Sequence, residues 1–196
     1  MKKAYILDYG CGNVKSLEYF LQKLGLKCDE TNSPENIVNG DLLVLPGVGS
    51  FGVAKNNLDI SGNLDALHCR INLDKPTLGI CLGFQLLTES SEESNNQSGL
   101  GIFNAKTIKM SEGPEIGWKQ VEPLPSLYSS SSIYFFNHSF GVIAHGDQFD
   151  FSLVSHSQYL AFARNSMTVG VQFHPEKSQI SGQNFITRVM QEVWGQ

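Results

Sequence analysis

Pro76-Thr77-Leu78-Gly79-Ile80-Cys81-Leu82-Gly83-Phe84-Gln85-Leu86-Leu87 is the stretch that decides the fold. Thr77 to Ile80 reads as a short buried strand and Gln85 onward as a helix, so the chain must reverse sharply around Cys81. Gly79 and Gly83, two residues to either side, supply backbone conformations and close approaches that other residues cannot. Such an elbow lifts the side chain at its tip above the sheet edge. It also sets that side chain at a helix N-terminus, where free N–H groups and the macrodipole favour an anion. A cysteine so placed ionises easily. The plainer reading, an inert core cysteine, gives no reason for the flanking glycines, so the pattern favours a nucleophile.

Upstream of the elbow, Lys3 to Leu7 is an apolar strand, and Asp8-Tyr9-Gly10-Cys11-Gly12-Asn13 turns into a helix with Leu17, Phe20, Leu21 and Leu24 on one face. Gly25 ends that helix. The turn lacks the dinucleotide spacing and the Walker lysine, and reads as a structural β-to-α turn. Leu26 to Glu30 is a second strand, and Ser33-Pro34-Glu35 has the form of a helix start. Leu42 to Leu45 is the continuous apolar run of a strand covered on both faces, and it delivers the chain into Pro46-Gly47-Val48-Gly49-Ser50-Phe51-Gly52. Helical segments at Ala54–Leu58 and Asp65–Leu73 complete a strand–helix alternation that predicts a parallel sheet with right-handed crossovers. In such a sheet ligands gather at the carboxyl ends of strands, where the glycine loop and the elbow both lie.

Downstream, Glu89 to Ser98 is polar and reads as an exposed loop. From Gly101 to Phe173 the pattern changes to short β runs at Ala105–Met110, Ile116–Val121, Ile133–Phe136, Phe151–Ser155 and Thr168–Phe173, an antiparallel or mixed region. Gly182 to Trp194 closes the chain as an amphipathic helix. The fold class is therefore α/β, an open, mostly parallel sheet flanked by helices with an added antiparallel or mixed β region. The 196 residues form one domain spanning 1–196.

A formal net charge of -5 without a Lys/Arg cluster gives no footprint for nucleic acid or an anionic membrane. No apolar stretch approaches bilayer length, and no export signal is evident. Cysteines at positions 11, 28, 69 and 81 have neither metal-ligand spacing nor the density of a disulfide scaffold, which points to a reducing, cytoplasmic setting with no metal and no cofactor.

A thiol nucleophile needs a base, and the base needs orienting. In an extended segment residues two apart point to the same side, so His174-Pro175-Glu176 is expected to project imidazole and carboxylate together. Of the other histidines only His138, in Asn137-His138-Ser139-Phe140, stands in unusual company. The matching chemistry is acyl transfer to sulfur, with oxyanion donors at the backbone N–H of Leu82 and at that of Val48 or Gly49.

Gly79-Ile80-Cys81-Leu82-Gly83-Phe84-Gln85, Pro46-Gly47-Val48-Gly49 and Phe173-His174-Pro175-Glu176-Lys177-Ser178 together resemble the class I (triad) glutamine amidotransferases, from the first strand to the last helix. Asp8 to Asn13, Gly99-Leu100-Gly101, Gly117-Trp118 and Pro175 to Ser178 are similar to the subgroup of glutaminase subunits of imidazole glycerol phosphate synthase. Lys119 departs from that subgroup's usual Asn after Gly-Trp, and Phe140 from its usual Tyr after His-Ser. The resemblance implies a flavodoxin-like sheet and hydrolysis of L-glutamine to glutamate and ammonia on Cys81, His174 and Glu176. It further implies a glutamine pocket of Gly49, Gln85, Ser139 and Phe140; physically such a pocket must recognise an α-amino and an α-carboxylate group, which backbone groups and Gln85 could do without a fixed countercharge.

Ammonia freed into neutral water is mostly protonated and loses its nucleophilic lone pair, so it must be delivered to an acceptor site on another chain. The resemblance implies a (β/α)8-barrel cyclase in a heterodimer. Lys119, Lys177 and Pro123-Leu124-Pro125 are candidates for the docking face. Three alternatives stay open: a paralogous glutaminase feeding a sugar-amidating synthase of surface polysaccharide synthesis, a stand-alone γ-glutamyl hydrolase, and a catalytically dead scaffold subunit.

Overall fold

In the computed structural model, residues 3–10, 13–124, 127, 132–146 and 148–195 are described; Cys11-Gly12 of the first turn and Pro125 of the expected docking face lie outside them. The first half alternates as its patterning requires. β1 (Lys3–Leu7) leads to α1 (Val14–Lys23), which buries Leu17, Phe20 and Leu21, and the chain leaves it through Gly25 at φ +86°. β2 (Lys27–Thr31) begins one residue later than expected and buries only Cys28 and Thr31, as suits an edge strand. α2 (Pro34–Asn39) follows Ser33, and β3 (Leu42–Leu45) is buried throughout. α3 (Phe51–Ser61) extends beyond its expected segment at both ends, α4 (Asn63–Asn72) starts two residues early and ends one early, and the two meet at Gly62, in the left-handed region. β4 (Thr77–Ile80) is fully buried. α5 (Leu82–Leu86) starts directly after Cys81 rather than at Gln85, because the whole reversal is made within the single residue Cys81.

The stretch expected to be an exposed loop is instead structured. Ser90–Ser91 and Gln97–Ser98 form short strands β5 and β6 around a 3-10 turn at Glu92–Ser94. Its anchors are polar: Glu92 accepts from the Lys109 N–H at 2.8 Å, and Glu93 from the Phe51 N–H at 3.0 Å. A hydrophobicity pattern does not register such fastenings. Then come β7 (Ala105–Lys109), β8 (Glu115–Val121), β9 (Ser132–His138), β10 (Phe140–Ala144), β11 (Asp150–Leu153), β12 (Leu160–Asn165) and β13 (Thr168–Val171). β12 was not anticipated. α6 covers Gln179–Arg188, three residues ahead of its expected start, and continues into a π-helical turn at Val189–Val193.

The main sheet runs β11-β12-β13-β4-β3-β1-β2. β2, β1, β3, β4 and β13 are parallel, and β12 and β11 extend the sheet antiparallel. Winding reverses between β1 and β3, so loops above the strand ends part there and leave a crevice, as in flavodoxin-like sheets. Both faces are covered. Ile6, Val44, Leu78 and Ile80 pack with residues of α1 and α6, while Leu7, Leu43 and Leu45 pack with residues of α3 and α5. β10, β7, β5 and β6 form a second sheet, and β8 and β9 an antiparallel ribbon.

The foot of the central strand is pinned by Arg70, which is fully buried. Its guanidinium donates to the carbonyls of Ile37 (2.8 Å), Gly40 (2.9 Å) and Pro76 (2.5 Å) and to Thr77 Oγ1 (3.1 Å). Burial holds its pKa down at about 10. Carbonyl dipoles thus satisfy a charge that would be costly left unpaired.

Candidate active site

Cys81 stands at φ +48°, ψ −103°, in sparsely populated backbone territory for a side-chain-bearing residue. Its N–H donates to the Val171 carbonyl at 2.7 Å and its carbonyl accepts from the Gln85 N–H at 3.0 Å, so neighbours on both sides hold the conformation. Glycine is required next to it by proximity rather than by dihedral. A Cβ on Gly83 would lie 2.1 Å from the Leu45 carbonyl oxygen, and one on Gly47 would lie 2.4 Å from that of Ile80. The glycine loop and the elbow are therefore in backbone contact.

His174 arrives at the end of β13 with its N–H on the Phe135 carbonyl at 2.9 Å. Ser178 fastens the segment, accepting from the Phe135 N–H at 2.9 Å and donating to the His174 carbonyl at 2.7 Å. The imidazole Nδ1 meets Glu176 Oε1 at 2.8 Å, as expected, but the route differs: Pro175–Lys177 is a 3-10 turn, not an extended segment. The turn brings the carboxylate back under the ring. Burial pushes the imidazolium down, but hydrogen bonds to Cys81 and then Glu176 outweigh it, and the pKa rises to about 9. The geometry thus suits an imidazolium beside sulfur at neutral pH.

His138 behaves oppositely. Burial, reinforced by the nearby His174 charge against the pull of the Phe140 carbonyl, lowers its pKa to about 4. That carbonyl lies 2.9 Å from His138 Nδ1 and also accepts from Gln85 Nε2 at 2.8 Å. Since a carbonyl only accepts, neutral His138 carries its proton on Nδ1. Its Nε2 faces Glu115 Oε2 at 3.8 Å.

A cavity of about 240 Å³ opens over these groups, lined by Gly47-Val48-Gly49, Cys81, Gln85, Glu93, Asn137 to Phe140 and His174. The expected site residues Val48, Gly49, Cys81, Gln85, Ser139, Phe140 and His174 all reach it. Glu176 stands behind His174. Leu82, buried, occupies the first position of α5, where the N–H has no acceptor within the helix. Two residues escaped the sequence reading. Glu93 brings an acidic side chain to the lining of the cavity. Gln172, fully buried, reaches the Cys81 sulfur with its amide nitrogen at 3.6 Å. Glu93 lies in a polar run without periodicity, and only its charge marks it; Gln172 is betrayed by nothing except closeness to His174. Of the docking candidates, Leu124 packs against the core, Lys119 pairs with Glu115 at 3.6 Å, and Lys177 lies over the Phe135 ring.

A thiol at a helix N-terminus, an imidazolium oriented by a carboxylate, and a polar cavity holding one negative side chain together suit acyl transfer from a small zwitterionic amide. Comparisons with known proteins agree. The model of the glutamine amidotransferase class-I family matches residues 5–190. Imidazole glycerol phosphate synthase subunit HisH 2 of Methanococcus maripaludis is 38% identical, over 92% of this chain and 97% of that protein. Subunit HisH of Aquifex aeolicus is 35% identical over 92% of each. Among solved structures, one of a glutamine amidotransferase superposes with a TM-score of 0.77 at 17% identity, covering 98% of this chain and 99% of that one, a likeness of fold. The elbow, the oriented histidine and the match along nearly the whole chain lead to one conclusion: this protein is an enzyme that belongs to the class-I glutamine amidotransferase family.

Proposed function

We propose that the chain is the glutaminase subunit of an imidazole glycerol phosphate synthase, hydrolysing L-glutamine on Cys81 and passing ammonia to a cyclase partner in histidine biosynthesis. The observation that carries this is His174 held between Cys81 and Glu176. The Cys81 thiolate attacks the side-chain amide carbon, and the oxyanion is met by the N–H groups of Leu82 and of Val48 or Gly49. His174 gives its proton to the amide nitrogen, the C–N bond breaks, and ammonia leaves a thioester. Water, deprotonated by His174, attacks that thioester, and glutamate departs as the thiolate re-forms. Gly49, Gln85 and the Ser139-Phe140 backbone position the substrate, and the Glu93 carboxylate takes the α-ammonium group.

Ammonia has to leave without meeting bulk water, and the ribbon supplies a surface for the chain that receives it. Cross-strand pairs Ile116–Asn137, Trp118–Phe135 and Gln120–Ile133 share its outer face. Ile116 (65% exposed), Trp118 (47%) and Ile133 (51%) form an apolar patch there, and Asn137 continues it to the cavity rim. Patches of this kind mark protein interfaces, and a (β/α)8-barrel cyclase docked on this one would sit over the cavity mouth.

The test is glutamate release from L-glutamine by the purified chain, alone and with its cognate cyclase plus the cyclase's ribonucleotide substrate. Strong stimulation, abolished in Cys81→Ala, is the expected result. Absence of stimulation would transfer the assignment to the sugar-amidating paralogues, and turnover of γ-glutamyl peptides without a partner would overturn it for a stand-alone hydrolase.

A further inference from the structure

The Cys81 sulfur has a neighbour that the triad does not employ. Gln172 follows β13, its backbone N–H fixed on the Ala161 carbonyl at 2.9 Å and its side chain wholly out of solvent. Its amide has two ends, and a chain of partners decides which end faces the sulfur. The Phe140 carbonyl can only accept, so the Gln85 amide must present its NH2 group there, at 2.8 Å. The same Gln85 Nε2 lies 3.4 Å from Gln172, which must therefore offer its carbonyl oxygen. What remains, the Gln172 NH2 group, points at Cys81 Sγ from 3.6 Å. Two amides and a carbonyl thus run in a fixed sequence from the substrate cavity to the nucleophile.

We propose that Gln172 holds the Cys81 sulfur as its anion, through an N–H donor that stays in place while His174 gives up its proton. The inference rests on Cys81 being the nucleophile. His174 is not a constant partner of the sulfur: its proton leaves with the ammonia and returns only when it deprotonates the attacking water, whereas the sulfur must both attack and be expelled as an anion. An amide donor has no competing proton-transfer duty. It favours the thiolate over both thiol and thioester, because a hydrogen bond to a charged acceptor is stronger than one to a neutral one. It also fixes the direction in which Sγ leaves the strained Cys81 backbone.

The experiment is the pH profile of Cys81 alkylation by iodoacetamide, read by mass spectrometry on the Cys81 peptide, with Cys69 in the same digest as an exposed reference. It is run on the wild-type chain, on Gln172→Met, which keeps length and removes the donor, and on Gln172→Glu, which keeps shape and places an acceptor against sulfur. Thermal melts accompany each variant, so that a misfolded one is recognised by loss of its transition. The expected result is an upward move of the Cys81 half-reaction pH by about one unit in Gln172→Met, a tenfold loss of thiolate on the acid limb, and a larger move in Gln172→Glu. The Cys69 profile stays where it is. A folded Gln172→Met variant with the wild-type Cys81 profile overturns the proposal. Should wild-type Cys81 react no more readily than Cys69 at neutral pH, it is the nucleophile assignment that fails. If Gln172→Met does not fold, a folded Gln172→Glu decides alone, an unshifted profile overturning the proposal.

Discussion

At the scale of single residues the site sets opposed protonation states around one cavity. His174 is held charged by sulfur and carboxylate, while His138 is held neutral by burial and by the charge on its neighbour. The proposed roles differ accordingly: His174 is the ring that would move protons, while His138 directs its Nδ1–H to the carbonyl of Phe140. Glu176→Gln keeps the shape of the turn but loses the charge opposite Nδ1. Glutaminase kcat is expected to fall by about two to four orders of magnitude, with KM changed far less, in steady-state assays. Stability should respond with a definite sign. A histidine whose folded-state value is raised from 6.5 to about 9 contributes stability in full below pH 6.5 and loses it as pH climbs through 9. The gap in urea-unfolding free energy between wild type and Glu176→Gln should therefore be widest near pH 6 and narrow by pH 10. Very little of this detail was legible in the sequence. Cys81 could be read from the glycines of its own elbow and the His174–Glu176 pair from its spacing of two, whereas Glu93 and Gln172 depend on where distant backbone happens to pass.

Among elements, the elbow is the one whose form was most readable and whose cost was least so. Gly79 and Gly83 announced a tight reversal, and Gly83 indeed leaves no room for a Cβ beside Leu45. The strain, however, falls on the cysteine itself, at φ +48° and ψ −103°. Backbone held in such a region costs on the order of 1–3 kcal/mol. Cys81→Gly should therefore be more stable than Cys81→Ala by about 1 kcal/mol or more in chemical denaturation, although glycine lowers stability in most ordered settings. Both variants should be inactive. If Cys81→Gly proves the less stable, the backbone there is unstrained in solution. β12 went unread for a different reason. Leu160-Ala161-Phe162-Ala163 is buried on both faces, so it shows no alternation, and its length alone did not separate it from a helical fragment. Glu89–Ser98 misled in the opposite sense, because polar anchors order it without hydrophobic periodicity.

On the scale of the whole molecule, the strand order places the reacting groups where an open parallel sheet leaves room, and the β8–β9 ribbon adds a wall with an apolar outer face beside that opening. Alternating strands and helices made the sheet foreseeable; the ribbon's register was not, since it pairs strands across a long connection. Trp118→Glu should weaken binding to the cyclase by about thirtyfold in calorimetric titration, because an aromatic anchor at the centre of an interface contributes on the order of 2 kcal/mol. The melting temperature of the free chain should hold, since the side chain is half-exposed and outside the core. Glutamate release by the free chain should be unaltered. The parallel pairing of β4 with β13, Thr77 against Thr168, joins segments far apart in the chain, and Gln172 and Cys81 stand 91 positions apart. During synthesis, then, the thiol emerges long before His174 and Gln172, and its surroundings are complete only once β13 has paired with β4.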